Sequence, residues 1–576
     1  MSSLAVFPKN AAKAQRLHQF LQPRASSYQE LDVPGFPELT LVLWAADRAS
    51  TTFFLPLDDN DFIAVTGTLF VADKTGPEAA RALHESFDAA SFDWTDCTGQ
   101  FVAVIGKAGE LHMVNDGLGS WKLYSDTDGS FASAGFLEAS LLKDSLSFNA
   151  QGVYEYAFTG FVLGEATFVN EITAVMPHHL LAWQGGAFKT IEKPTPIKAI
   201  QRNNASFDDM LELQLTALRA RFSKFATLPP DAVTSSVSGG FDSRLMIALL
   251  KEAGLRPNLF VYGADDDEDV PPSKALADYF GLPLNHVDRG TFTPPEHLPT
   301  VEDVLYYFDG WKDDGLADFE HDITDRKNRA ASASYMANGK CGEIYRHYYY
   351  QHVGKRGINL NAFVRGTFGR HVPQMVTARF DRHSFEANVT CAFRALTGFD
   401  GTRLSQEDLD YLYPKVRICH DAGRDITVNH RFSHALYPFA EAELSGPALA
   451  LNYEERLYGK LEAHVIAAID PELINIPSAY GYDLLKGPGL AYRLKMAASY
   501  HRPTWLRTVV PALKTMLSPA SAIDMASLPE ATLITDKTMP AMQRYFNLDR
   551  VCDRRTASRI YALEVLAQYV GITTNN

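Results

Sequence analysis

Apolar residues in the first third of the chain fall in short runs, many of them alternating. "LTLVLWAA", "FIAVTGTLFVA" and "QFVAVIGKAGELHMVND" read as strands, and "KAGE" predicts a hairpin turn inside the third. "SFASAG" reads as a further short strand, and "PEAARALHESF" interrupts the series with helical spacing. A polar connector from Thr190 to Ser206, "TIEKPTPIKAIQRNNAS", carries two prolines and predicts a linker. After it, "FDDMLELQLTALRARFSKFA" has the spacing of an amphipathic helix. From about residue 230 the rhythm changes. "DAVTSSVS" leads into "DSRLMIALLKEAG", "RPNLFVYG" into "PPSKALADYFG", and "LPLNHVD" follows. This β-α-β-α-β order predicts a parallel sheet. Beyond 300 the pattern is largely helical, with an aromatic-rich part between about 345 and 430 that follows no single period.

With 576 residues the chain exceeds one ordinary core, so the pattern change near 200 predicts two domains, 1–200 and 201–576. The fold class expected is α/β. Net charge is −15, from 54 basic and 69 acidic residues, which argues against a general nucleic-acid binder. Cys97, Cys341, Cys391, Cys419 and Cys552 are scattered without a CxxC pair, so zinc ribbons and dithiol redox sites are not expected, and a reducing compartment is. No run of eighteen apolar residues and no signal-peptide core follows "MSSLAVFPKNAAKAQR". A cytoplasmic protein without a membrane partner is the expectation.

The chemistry-bearing stretch is "TSSVSGGFDSR", Thr234 to Arg244. Gly239 and Gly240 free the backbone to aim successive N–H groups at one point, and Asp242 and Ser243 open a helix whose unpaired N–H groups favour an anion. The stretch reads as a phosphate cradle formed by Ser236, Ser238, Gly239, Gly240, Asp242 and Ser243. It lacks the GxxxxGK(S/T) spacing of a Walker A loop. An ordinary strand-to-helix turn, with Asp242 and Ser243 as plain caps, is the competing reading.

"SVSGGFDSR" resembles the pyrophosphate-binding loop of the ATP-pyrophosphatase group. The wider chain resembles asparagine synthetases and their relatives, the β-lactam synthetases and lasso-peptide cyclases. Four further stretches carry that resemblance in the family's order: "VNDGLGSWKLYSDTDGSFASAGFLEASLL", "YEYAFTGFVLGEATFVNEITAVMPHHLL", "NGKCGEIYRHYY" and "LYPFAEAEL". The resemblance implies an N-terminal Ntn-hydrolase-like αββα domain. It also implies a parallel-sheet ATP-pyrophosphatase domain, adenine nucleotide alpha hydrolase-like, with a helical C-terminal part. It implies ATP and Mg²⁺, with Asp242 as one magnesium ligand and a second carboxylate from "NGKCGEIYRHYY". If Asn338-Gly339 matches the family's "SG", that second ligand is Glu343; in the alternative register Gly342 falls there and the ligand is lost. Tyr262 and Gly263, ending "FVYG", are implied at the adenine, and Gly339 at the pyrophosphate.

The departures are informative. Glutamine-using members carry cysteine directly after the initiator methionine; here it is Ser2, and the surrounding glutaminase motifs are unrecognisable. A silent N-terminal domain is expected. Arg244 replaces the second serine of the usual SGGxDSS, either adding charge near phosphate or facing solvent. Lys340 stands where asparagine synthetases have glutamate and β-lactam synthetases tyrosine. Lys486 and Lys495 are the candidates for the late lysine that stabilises charge during acyl transfer. The "ADDDEDV" loop reads as a solvated charge run. The aromatic "YRHYYYQHVGKRG" lines a larger substrate site or packs within a helix.

The reaction implied is adenylation of a small-molecule or peptide carboxylate, then acyl transfer to an amine, including ring closure. An ammonia-dependent asparagine synthetase, a tRNA-modifying pyrophosphatase and a non-catalytic nucleotide-binding scaffold are the competing readings.

Overall fold

The computed structural model describes residues 3–45, 52–58, 60–198, 200–291, 297–349, 353, 356–369, 372–503, 506 and 521–573. Two six-stranded antiparallel sheets make the N-terminal part. The first is built on Ser3–Pro8, Ser27–Val33 and Phe36–Ala45. The second runs through Phe53–Pro56, Phe62–Gly67, Phe101–Lys107, Glu110–Asn115, His179–Gln184 and Ala187–Glu192.

The period of two decides how the sheets pack. Leu4, Val6, Leu41 and Leu43 of the first sheet meet Phe62, Ala64, Val102 and Val104 of the second in one shared core. The residues between them point outward. Ile63, Val65, Ala103 and Ile105 pack under helix Gly76–Ser86 through Ala79, Ala80 and Leu83. Ala5, Phe7, Val42 and Trp44 pack under helices Ala11–Leu21 and Phe136–Leu141. The layers are therefore helix, sheet, sheet, helix.

"KAGE" is a two-residue hairpin. Ala108 and Gly109 both have positive φ, 53° and 79°, the mirror-image turn whose twist suits antiparallel strands. "SFASAG" contributes only the pair Ala132–Ser133. The first residues of the expected linker, Thr190–Glu192, finish a strand rather than leave the sheet.

The third main sheet has five parallel strands in the order Leu284–Val287, Asn258–Tyr262, Val233–Ser236, Tyr335–Ala337, His434–Leu436. The chain starts at the centre, winds to one edge, then returns to fill the other side. The order reverses between Val233–Ser236 and Tyr335–Ala337, and the crevice beyond the strand tips at such a reversal is where open α/β sheets place ligands. Helices Phe241–Glu252 and Val270–Phe280 connect the first three strands. Among the later helical segments, Tyr413–Ala422 is π-helical, a rare geometry that recurs at functional sites.

The two halves share one core. A single buried cluster reaches from Ala5 and Phe7 through Phe136 and Tyr156 to Ile560 and Leu563 of helix Arg554–Val570. At its centre Arg431 donates two hydrogen bonds to Glu138 (2.9 and 2.8 Å) and pairs with Asp309. Arg424 pairs with the other oxygen of Asp309 at 2.8 Å. Asp309 also accepts the N–H groups of Phe136 and Leu137, both at 3.0 Å, and so caps helix Phe136–Leu141 from across the junction. All five cysteines are free thiols. Among the described residues no helix is long and apolar enough to cross a membrane.

Candidate functional site

The glycine-rich loop sits at the tip of the central strand, where the sheet order reverses. Three of its N–H groups, those of Ser238, Gly239 and Gly240, have internal partners. Ser243 Oγ accepts from Ser238 N–H (3.0 Å), Ser238 Oγ accepts from Gly240 N–H (3.3 Å), and Asp269 Oδ1 accepts from Gly239 N–H (2.8 Å). Asp269 comes from the acidic "ADDDEDV" run. One member of that run therefore is not simply solvated, and it holds a carboxylate against the loop N–H that the sequence reading gives to a phosphate. Asp265 of the same run pairs with Lys274 at 2.7 Å and stays exposed.

Arg244 takes neither of the positions expected of it. It is fully buried and donates to the carbonyls of Ile476 (2.9 Å), Pro477 (2.8 Å) and Leu473. Burial pulls its pKa down to about 10, still cationic at neutral pH. Its role is to fasten the segment that crosses the loop: Ala479 N–H donates to Gly239 O at 3.1 Å, and a Cβ at Gly239 would lie 2.7 Å from Ala479. Arg244→Met leaves three buried carbonyls short of a donor and is expected to destabilise the protein by about 3 kcal/mol. Thermal denaturation and limited proteolysis check this. The expected result is a lower melting temperature with new cleavage between residues 473 and 490, and an unchanged digest would remove the anchoring role.

The second loop follows strand Tyr335–Ala337 and locks onto the first. A Cβ at Gly342 would lie 2.2 Å from Asp242 Oδ1, and one at Gly339 would lie 3.2 Å from the Asp242 backbone. Only glycines permit this approach. Between them Cys341 holds φ at +78°, a strained value for a residue with a side chain.

Arg346 stands between the loops. It donates to both oxygens of Asp242 (2.8 and 2.6 Å) and to Glu462 at 2.6 Å. Burial pushes Glu462 well above the ordinary carboxyl range, despite Arg346, and Asp242 beside it adds to the shift.

Glu343 faces elsewhere. It accepts from Tyr413 Oη of the π-helix (2.7 Å) and from Cys341 N–H (3.1 Å). Burial pushes it up, but Arg417 and Arg346 hold it below the usual range, so it is ionised. Lys340 Nζ lies 3.3 Å from Asp425 Oδ2. Burial works against its charge, but Asp425 holds its pKa above the ordinary value, so Lys340 is a fixed cation and not a base. Asp425 also accepts from Tyr437 Oη at 3.1 Å and pairs with Arg326 at 3.4 Å.

Magnesium chemistry fits these donors in kind, since carboxylate oxygens are hard ligands. It does not fit them as arranged. Both oxygens of Asp242 carry Arg346, one oxygen of Glu343 (Oε2) accepts from both Tyr413 and Cys341, and the described residues hold no group of three or more His, Cys, Asp or Glu that could bind a metal.

Ser238, Gly239, Gly240, Asp242, Ser243, Gly339 and Glu343 are therefore gathered around Arg346 and the two loops. Ser236 ends the central strand opposite Phe260 of the next one. Tyr262 and Gly263 form the tip of that neighbouring strand. Tyr262 Oη bonds Asp325, and Gly263 N–H donates to Val287 O at 3.2 Å. Lys486 is 85% exposed and pairs with Asp483 at 3.1 Å, and Lys495 is exposed on helix Leu490–Tyr500. Ser2 lies outside the described residues; Ser3 is buried in the first strand, its hydroxyl without a hydrogen-bond partner among them. In the aromatic stretch His347 stacks on Tyr453 with ring centroids 4.1 Å apart, and Tyr349 packs edge-on to Phe363. Residues 350–352 and 354–355 of that stretch lie outside the described residues.

No family model and no curated protein matches the chain. Among solved structures it is similar to glutamine phosphoribosylpyrophosphate amidotransferase from B. subtilis complexed with ADP and GMP, at 9% identity and a TM-score of 0.23, covering 51% of this chain and 69% of that one. A second is the U34-tRNA thiolase NcsA from Methanococcus maripaludis with its 4Fe-4S cluster, at 13% identity and a TM-score of 0.21, covering 58% and 88%. A third is an allosteric regulatory enzyme of purine biosynthesis, at 9% identity and a TM-score of 0.24, covering 61% and 76%. At these TM-scores the likenesses add no weight to the chemistry read from the chain.

Proposed function

We propose that this protein is an ATP-dependent, AMP-forming amide synthetase whose N-terminal helix-sheet-sheet-helix part does not hydrolyse glutamine. The observation that carries the reading is the interlock of two glycine-bearing loops over Asp242, at the tips of adjacent parallel strands where the sheet order reverses.

In this reading a carboxylate oxygen of the substrate attacks the α-phosphorus of ATP, supplied as its magnesium complex, and the bond to pyrophosphate breaks. An amine nitrogen then attacks the acyl carbon, the bond to AMP breaks, and the amine proton leaves to solvent. The loop from Ser238 to Ser243 holds the departing pyrophosphate, with Asp269 giving up Gly239 N–H. Arg346 supplies the positive charge opposite that loop. Lys340, kept cationic by Asp425, suits a substrate carboxylate or the charge that develops on the acyl oxygen. Ser2 without the glutaminase constellation leaves free ammonia or an amine of the substrate itself as nucleophile. A substrate-borne amine makes the second step effectively one-body, an advantage of up to roughly 7–11 kcal/mol.

Pyrophosphate release from Mg-ATP by the purified protein, across a panel of amino acids and amine-bearing acids, tests the reading. The expected result is acid-dependent release with matching AMP. Efficient asparagine formation from aspartate and ammonium would narrow the function to an ammonia-dependent asparagine synthetase. A second reading, a nucleotide-binding scaffold, is favoured by the internal partners of the loop N–H groups. ATP binding without pyrophosphate release under any of these conditions would establish it.

A further inference from the structure

Outside the two loops, a cavity of about 690 Å³ with charged side chains in its walls opens at the junction of the two halves. That size falls in the range of small-ligand sites, roughly 300–1,000 Å³. Its walls come from six separate parts of the chain: Ala90, the turn at Gly117 and Leu118, the turn at Pro177 and His178, the connector from Glu192 to Ile197, the end of helix Arg382–Thr397, and the π-helix. The body is apolar, with Leu118, Pro177, Pro196, Ile197, Leu396 and Pro414 among its lining.

The charge is cationic in a protein whose net charge is −15. Lys193 and Lys415 face the cavity from the connector and the π-helix; His178, whose pKa burial lowers, lines it from the second turn as a polar neighbour, and exposed Glu192 is the carboxylate among the lining residues. Lys193 is buried; its ammonium donates to the carbonyls of Asn115 (3.3 Å) and Asp116 (2.5 Å) and to Asn115 Oδ1 (3.1 Å), lies 4.5 Å from the centre of the Trp94 ring, and has the Asp116 side chain as its nearby counter-charge. Lys415 donates to a single neutral acceptor among the described residues, Thr397 O at 2.8 Å, which leaves it donors to spare. Burial lowers the pKa of both lysines; Asp116 opposes that pull at Lys193, whereas no carboxylate does so at Lys415. The Cys419 thiol on the floor donates to Leu118 O and Pro414 O, and burial pushes its pKa up to about 12, so it is an inert wall.

We infer that this cavity is a binding site for a small organic anion with an apolar body, its acidic group seated at Lys415. The apolar walls take the body, and the under-neutralised ammonium takes the charge, where a charge-assisted hydrogen bond is strongest. The site shares the π-helix with the two loops: Pro414, Lys415 and Cys419 line the cavity, while Tyr413 of the same helix reaches Glu343.

The probe is 8-anilinonaphthalene-1-sulfonate, an aromatic body with one sulfonate, titrated into the full-length protein by fluorescence and calorimetry. Single-site saturable binding is expected. Lys415→Glu, and independently Ala395→Trp at an exposed wall position, are expected to weaken it by about tenfold or more. Lys486→Glu on the open surface is expected to leave it unchanged. The uncharged N-phenyl-1-naphthylamine is expected to bind at least about tenfold more weakly than the sulfonate. Non-saturable binding, or binding retained in both cavity variants, overturns the site. Equal affinity for the uncharged probe overturns its preference for anions.

Discussion

Arg346→Met is expected to lower kcat/KM for pyrophosphate release by roughly 100- to 1,000-fold, the usual loss when one preorganised charge-stabilising donor is removed. Arg346 is the cation at the point where the two loops meet, fixed on both oxygens of Asp242 and on Glu462. Asp242→Asn is expected to cost nearly as much, because it releases the guanidinium from its aim. The double variant should be little worse than either single one, since both changes break the same unit. The magnesium dependence separates this role from metal ligation. If Asp242 acts by anchoring Arg346, the Mg²⁺ concentration for half-maximal rate stays the same in Asp242→Asn while the rate falls. A large rise in that concentration would show that Asp242 ligates the metal during turnover and that Arg346 moves aside. Arg346→Lys keeps the charge but loses the two-pronged grip, and should fall between wild type and Arg346→Met.

What the sequence disclosed follows from the range of the interactions. The strand, the glycine pair and the buried helix of "TSSVSGGFDSR" are local, and they stand at Val233–Ser236, Gly239-Gly240 and Phe241–Glu252. Strand-helix alternation likewise located the next two parallel strands. Arg346 was hidden because its partners Asp242 and Glu462 are 104 and 116 residues away and nothing in "EIYRHYY" points to them. Asp269 was absorbed into an acidic run, although its place at the start of helix Val270–Phe280 faces the loop. The direction of Arg244 was undecidable locally. The residue sits on a helix buried nearly all round, where no polar face marks an outside. The π-helix carries Pro414 near its start and mixes charged with apolar residues, so neither period of the ordinary elements fits it. Gly342 opens the short helical turn Gly342–Tyr345, but its reason is contact with Asp242 across the fold.

The junction network gives the largest expected effect on stability. Asp309 is fully buried, pairs with Arg431 and Arg424, and accepts two N–H groups that start helix Phe136–Leu141. Asp309→Ala strands two buried guanidinium groups against the single carboxylate of Glu138 and uncaps that helix. A loss of about 3–5 kcal/mol is expected, as for other broken buried ion pairs. Asp309→Asn keeps acceptor oxygen but not charge and should lose less. Lys9→Ala, which removes an exposed pair with Asp32, should change stability by under about 1 kcal/mol. The pH dependence has a definite sign. Burial pushes Asp309 up, but the two arginines outweigh it and hold its carboxyl below the ordinary value. A carboxyl whose folded pKa is depressed contributes fully above its unfolded pKa, near 3.9, and loses that contribution as pH falls through the folded value. The melting-temperature gap between wild type and Asp309→Ala should therefore be open at pH 5 and close as the solution is acidified below about pH 4. Making the comparison in a Glu138→Gln background takes the facing carboxyl out of the titration. A gap that stays open in strong acid would mean that the loss comes from the vacated volume and the missing cap, with the ion pairs contributing little.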